Sequence, residues 1–190
     1  MRLLRSSLAA LSLMAATCGA SAYEIDPLTR QPLVPNTAVV PQATAIPREV
    51  VAFDGRHAPG TVVVSTPERR LYYVLGNGQA VRYAVGVGRP GFEWSGVKTV
   101  VMKREWPSWT PPAQMLKRRP DLPRHMKGGV DNPLGARAMY IGGTLYRIHG
   151  SNEPDTIGQA VSSGCIRMLN DDVVDLYERV KVGSRVVVQR

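Results

Sequence analysis

Gly76-Asn77-Gly78 stands between two apolar runs, Arg70 to Leu75 (RLYYVL) and Gln79 to Val87 (QAVRYAVGV). Asn-Gly in that setting signals a tight hairpin, because both central residues of a type I′ turn need positive φ. Beyond the turn Val81, Tyr83, Val85 and Val87 alternate, so they are expected on one face of a strand. This hairpin commits the middle of the chain to antiparallel β structure, and the flanking segments have to supply its neighbours.

They do so on both sides. Thr61 to Ser65 (TVVVS) reads as a short buried strand and Gly96 to Lys103 (GVKTVVMK) as another. Between them Gly86, Gly88 and Gly91 suggest a bend or a close backbone approach. Thr110 is placed to cap a short helix with Pro111 at its first position, running to about Arg118 before Pro120 stops it. Trp106 and Trp109 fit packing around a proline turn or the lining of a groove. Asp121 to Gly135 reads as loop, and Ala138 to Ile141 and Thr144 to Ile148 as strands turning at Gly142-Gly143. Ser151 to Ser163 is a mostly polar loop. Asn170 or Asp171 is expected to cap a helix over Asp172 to Val180, with Val173, Leu176, Tyr177 and Val180 on one stripe. Arg185 to Val188 is a last strand. The fold class is mainly β with one or two short helices, over residues 60–190, and about 130 residues suffice for one core.

The N-terminal part is different. Arg2 and Arg5 precede a short apolar run, Leu8 to Ala16, and Ala20-Ser21-Ala22 fits a small-x-small cleavage site. Residues 1–22 therefore read as a signal peptide and the product as exported to the periplasm. That run is shorter than the roughly 20 residues a spanning helix needs, and no later segment supplies one. Residues 23–59 carry Pro27, Pro32, Pro35, Pro41 and Pro47, the composition of an extended linker or arm. The net charge is +9, or +7 without Arg2 and Arg5. It favours acidic partners, but the scattered basic residues and the export signal speak against nucleic acid.

Cleavage removes Cys18 and leaves Cys165 as the one thiol. An exported chain with one cysteine forms no internal disulfide, so Cys165 is either a buried inert side chain or a reactive one. His149 lies sixteen positions earlier, and each of the two sits beside a glycine, in His149-Gly150 and Gly164-Cys165. A cysteine attacks a carbonyl as thiolate, and an imidazole is the usual group to take its proton. Backbone N–H groups around Gly164-Cys165 are candidate oxyanion donors. A backbone carbonyl, Ser162 or Ser163 is the candidate to orient the imidazole, since no acidic third member is evident. Arg167 shares a strand face with Cys165 and is a candidate for holding the thiolate or a substrate carboxylate, with Asn152 a further substrate-binding candidate. Three histidines and one cysteine lack the spacing of a closed zinc site, so neither metal nor other cofactor is expected. His57 and His125 fall outside this pattern.

The run HGSNEPDTIGQAVSSGCIRMLNDDV resembles the catalytic signature of the L,D-transpeptidase family, the YkuD-type domain. The matches are His149-Gly150, Ser162-Ser163-Gly164-Cys165 and Ile166-Arg167-Met168. Likeness extends to Trp106–Met115, Asn132-Pro133-Leu134-Gly135 and the aspartate-led helix, and covers about residues 60–190. Ser163 stands where members often have histidine. The resemblance implies a β-sandwich-like catalytic domain acting on peptidoglycan stem peptides. It casts Cys165 as nucleophile, His149 as proton carrier, and Ser162, Ser163, Gly164 and Gly150 as site support. The acceptor is then a second stem, an envelope protein, or water in a carboxypeptidase. A cysteine peptidase on ordinary peptides and a non-catalytic wall-binding module are the rivals.

Overall fold

The computed structural model of the chain describes residues 24–25, 32–33 and 47–190. The expected signal peptide, Cys18 and most of the proline-rich arm lie outside them. The chain divides into two units, Met1–Pro41 and Gln42–Arg190. In the first, β1 (Glu24–Ile25) pairs antiparallel with β2 (Pro32–Leu33).

The second unit runs β3 (Glu49–Ala52), β4 (Val62–Ser65), β5 (Arg70–Gly76), β6 (Gln79–Ala84), β7 (Val87–Gly88), β8 (Gly96–Glu105) and α1 (Ala113–Arg118). It continues through β9 (Arg137–Ile141), β10 (Arg147–His149), a 3-10 turn (Pro154–Thr156), β11 (Ala160–Ser162), β12 (Ile166–Arg167), α2 (Asn170–Arg179) and β13 (Arg185–Gln189). Nine strands form one sheet in the order β12-β10-β9-β8-β13-β4-β5-β6-β3, and β11 pairs β7 separately.

The hairpin at the centre of the sequence forms as expected. Asn77 and Gly78 take φ of 51° and 71°, and Val81, Tyr83, Val85 and Val87 all enter the core. What the local pattern does not reveal is how the sheet closes. β8 pairs β13 through residues 96–99 and β9 through residues 100–105, with a register shift between Val100 and Met102. Such an irregularity bends a strand. Val62, Leu71 and Tyr83 from one half of the sheet therefore share a core with Met139, Ile148 and Ile166 from the other, and with Val173 and Leu176 of α2. This is the sandwich-like arrangement. Val63, Val74 and Val187 bury the opposite face under Phe53 and Tyr72, which explains why TVVVS is apolar without alternation.

Several boundaries differ from expectation for identifiable reasons. α1 begins at Ala113, with Pro112 at its cap, not at Thr110. Each residue before a proline is pushed out of the α region, so two prolines in a row delay the helix; the Thr110 hydroxyl meets His125 Nδ1 at 3.2 Å instead. Residues 144–146 bend away from the Gly142-Gly143 turn and are not strand, because the Thr144 hydroxyl donates to Ile141 O and accepts from Tyr146 N. The 151–163 loop contains β11, which joins β7 in parallel. Within the range expected as an arm, Glu49–Ala52 pairs antiparallel with β6, and Arg48 reaches the buried Asp172 of α2 at 3.1 Å. Of the two tryptophans, Trp109 is buried and Trp106 exposed. Among the described residues no helix is long and apolar enough to cross a membrane.

Asn170 does not cap α2 either; Leu169 holds that position. The Asn170 amide instead accepts from Ala136 N at 2.9 Å and donates to Ser151 O at 3.1 Å. It packs so closely on Gly150 that a Cβ there would fall 2.2 Å from Asn170 Oδ1. Asn170→Ala leaves both backbone groups unpaired, and we expect it to destabilise the domain by about 1–3 kcal/mol in denaturant unfolding. An unchanged midpoint would show that the bridge contributes nothing.

Candidate active site

β10 lies between β9 and β12 near one end of the sheet. β12 runs parallel to it, with Ile148 opposite Ile166 and His149 opposite Arg167. Ile148 and Ile166 face the core. Alternation then places Arg147, His149, Cys165 and Arg167 on the other side of the two strands. Cys165, at the entrance to β12, is half-buried, and His149 is buried.

The loop that carries Cys165 is held residue by residue. Gly164 has φ of +106°, and a Cβ on it would lie 2.3 Å from the Tyr146 ring, so only glycine fits. Ser162 Oγ accepts from Gly164 N at 3.1 Å and donates to Cys165 O at 2.6 Å. The turn after β7 grips the same loop from outside. Arg89 N donates to Ser162 O at 3.0 Å, Arg89 Nη1 to Ser163 Oγ at 3.2 Å, and Trp94 Nε1 to Gly164 O at 2.8 Å. Trp94 stacks on Tyr146, with centroids 5.1 Å apart. In a trans peptide C=O and N–H point in opposite directions. With Gly164 O turned to Trp94, the Cys165 N–H points away from it. Ser162 occupies the Gly164 N–H, so within the Gly164–Cys165 pair the Cys165 N–H is the donor left for an oxyanion.

His149 is oriented by a backbone carbonyl, the first of the expected alternatives. Its Nδ1 lies 2.5 Å from Gly150 O. A carbonyl can only accept, so Nδ1 carries the proton and Nε2 is the basic nitrogen. Burial pushes the imidazole pKa down to about 3, against the opposing Gly150 carbonyl and helped by the charges of Arg167 and Arg147. Burial also raises the Cys165 thiol, against hydrogen bonds from the Arg147 backbone and side chain and the charge of Arg167. The resting pair is thus a neutral thiol and a neutral imidazole, not the preformed thiolate that a His–Cys pair first suggests. A neutral pair of this kind can give a thiolate only by passing the thiol proton to the imidazole, the work of a general base.

The remaining expected residues are placed as follows. Arg167 Nη1 pairs with Glu153 at 2.6 Å and reaches Thr156 Oγ1 at 3.3 Å, drawing the 153–156 turn towards β12. Asn152 Nδ2 donates to Asp131 O at 3.0 Å. Gly150 N donates to Arg137 O at 3.0 Å. Ser163 bonds Arg89, and Ser162 bonds the loop itself, so neither orients the imidazole. His57 lies obliquely near Phe53, and His125 meets Thr110. Sequence reasoning missed Trp94, Tyr146, Arg147 and Arg89. Arg147 was within reach, since the period-2 pattern through His149 includes it. Trp94 and Arg89 carried no local signal.

Fold and site together describe a β-sandwich-like domain with a clamped cysteine loop beside a buried histidine. Residues 59–188 match the family model of the L,D-transpeptidase catalytic domain, and the chain belongs to that family. It is 43% identical over 136 residues to the probable L,D-transpeptidase ErfK/SrfK of Escherichia coli K12, covering 67% of this chain and 43% of that one. The chain spans about half the length of the curated relatives it matches. An L,D-transpeptidase structure from Mycobacterium smegmatis superposes with a TM-score of 0.57 at 19% identity, over 70% of this chain and 59% of the other, a likeness of fold. A Brucella melitensis structure described as a probable carnitine operon oxidoreductase is 45% identical, with a TM-score of 0.51 over 75% of this chain and 93% of that one. Gly86-Val87-Gly88-Arg89-Pro90-Gly91 does have the glycine spacing of a dinucleotide loop. It leads into β8, however, and not into a helix whose N-terminus would receive a pyrophosphate.

Proposed function

We propose that this domain is a peptidoglycan L,D-transpeptidase working through a Cys165 thioester. The observation that carries the reading is the oriented imidazole: Nδ1–H is held by Gly150 O, which leaves Nε2 as the nitrogen to take the thiol proton in the proposed reaction. Cys165 Sγ attacks the carbonyl between the L-centre of the diamino acid and the terminal D-alanine of a tetrapeptide stem. Its proton passes to His149 Nε2, and the oxyanion accepts from the Cys165 N–H. The C–N bond breaks, and His149 returns the proton to the D-alanine amine. An amine acceptor then attacks the thioester, gives its proton to His149, and releases the thiolate, which is reprotonated. The acceptor is a second stem, giving a 3-3 cross-link, or an envelope protein. The family match, the identity to ErfK/SrfK and the net charge of +9 support this reading. The signal-like residues 1–22 support export and action in the periplasm.

Incubation with a tetrapeptide stem, with and without an amine acceptor, tests it. The expected result is acceptor-dependent product and released D-alanine, both absent in Cys165→Ala. D-Alanine release that ignores the acceptor would make the domain a carboxypeptidase. Turnover of L-peptides alone would make it a cysteine peptidase, and binding without turnover a wall-binding module.

A further inference from the structure

The turn that grips the nucleophile loop also gathers positive charge. Arg89 Cζ lies 4.2 Å from the centroid of the Phe92 ring, and Arg118 Cζ, from the last turn of α1, lies 5.4 Å from it. Two segments far apart in sequence thus bring guanidinium groups to one half-buried aromatic ring. The ring attracts each cation but neutralises neither. Arg48, Arg82, Arg119, Arg137, Arg167 and Arg179 all form ion pairs. Arg89 and Arg118 form none with any described residue, although Arg119 next to Arg118 is paired with Asp121. Two guanidinium groups on one ring, with no counter-ion among the described residues, make a favourable place for an anion. A guanidinium fork matches a carboxylate best.

The position of this pair is as telling as its charge. Arg89 Nη1 reaches Ser163, two residues before Cys165, and its N–H is bonded to Ser162 O. Gly88 keeps that turn close: a Cβ on it would lie 2.5 Å from Phe92 O. An anion on the two arginines would therefore sit next to the nucleophile loop. We propose that Arg89 and Arg118, gathered on Phe92, form a subsite for a non-reacting carboxylate of the peptide substrate. The proposal rests on the transpeptidase reading for its substrate class, since stem peptides carry free carboxylates on either side of the bond that is broken.

Calorimetric titration in a Cys165→Ala background tests binding without chemistry. The probes are a tetrapeptide stem with free carboxylates and the same stem amidated at its non-reacting carboxylates. The free-carboxylate stem is expected to bind about tenfold more tightly, as the loss of one charge-assisted contact would imply. Arg89→Gln and Arg118→Gln should each shrink that ratio, and the double variant should bring it to about one. Circular dichroism and thermal unfolding establish that each variant is folded. An amine acceptor lacking D-alanine, titrated after the tetrapeptide, tells the two sources apart. Discrimination confined to the tetrapeptide assigns the subsite to the donor, and discrimination confined to the second titration assigns it to the acceptor. Equal affinity for both stems, no binding, or a ratio unaffected in the double variant overturns the proposal. Discrimination in Cys165→Ala, accompanied by no D-alanine release from the unmutated protein, would sink the transpeptidase reading and leave the subsite standing.

Discussion

Replacing His149 by glutamine is expected to lower the rate of Cys165 acylation by a factor of about 10²–10⁴, the usual contribution of a positioned general base. The reason lies in the resting protonation states. With the imidazole pKa at about 3 and the thiol raised above its ordinary value, neither group is charged near neutrality. The thiolate therefore forms only as its proton moves to Nε2, and glutamine cannot take that proton. The same burial has a consequence for stability. The folded state keeps His149 neutral while the unfolded chain takes up a proton near the ordinary value of 6.5. Folded and unfolded states bind protons alike above that value, so this group costs nothing there. As pH falls from 6.5 towards 3 the unfolded state is increasingly favoved by its extra proton, and stability is lost through that window. His149→Gln should remove this part of the acid limb. Denaturant unfolding between pH 7 and 4 checks it, and parallel acid limbs in the two proteins would contradict a buried neutral imidazole.

Gly164→Ala should be nearly as damaging, by a different route. Alanine is strained at φ of +106°, and its Cβ would occupy the space of the Tyr146 ring. Relief requires the loop or the Trp94–Tyr146 stack to move, and either displaces Gly164 O from Trp94 Nε1. The Cys165 N–H then no longer points where an oxyanion forms. Losing one such donor lowers acylation by about 10²–10³-fold, and the backbone strain costs about 1–3 kcal/mol of stability. Trp94→Phe keeps an aromatic partner for Tyr146 but has no N–H. It should slow acylation in the same sense by a smaller factor, yet leave alkylation by iodoacetamide, which generates no oxyanion, close to normal. Equal slowing of both reactions would mean that Trp94 supports the loop without aiming the amide. Acylation of Gly164→Ala at the rate of the unmutated protein would refute the clamp altogether.

How far such a site can be read from sequence depends on the range of the forces that build it. The Asn77-Gly78 hairpin and the alternating Val81, Tyr83, Val85 and Val87 are local properties, and they were legible. His149 and Cys165 could be singled out as candidates, because a single thiol beyond residue 22 and a glycine beside each residue are visible in one dimension. The bend at Val100–Met102 was not, since it is set by β8 having to serve β13 and β9 together. Asn170 looked like a helix cap because its type favours that role, yet its amide is committed to Ala136 and Ser151, more than a dozen residues away. Trp94 lies 71 residues before Cys165 and meets its loop only after the turn beyond β7 docks on β11. The neutral state of the Cys165–His149 pair was equally hidden, because burial sets it and burial belongs to the assembled sheet.

The most direct measurement is the mass of the protein after brief exposure to a tetrapeptide stem without acceptor. The account predicts an increment equal to the stem less D-alanine, located by peptide mapping on Cys165, with one D-alanine released per adduct. The adduct should form far more slowly in His149→Gln and not at all in Cys165→Ala. An adduct that persists in Cys165→Ala, or formation from L-peptides but not from the stem, would contradict it.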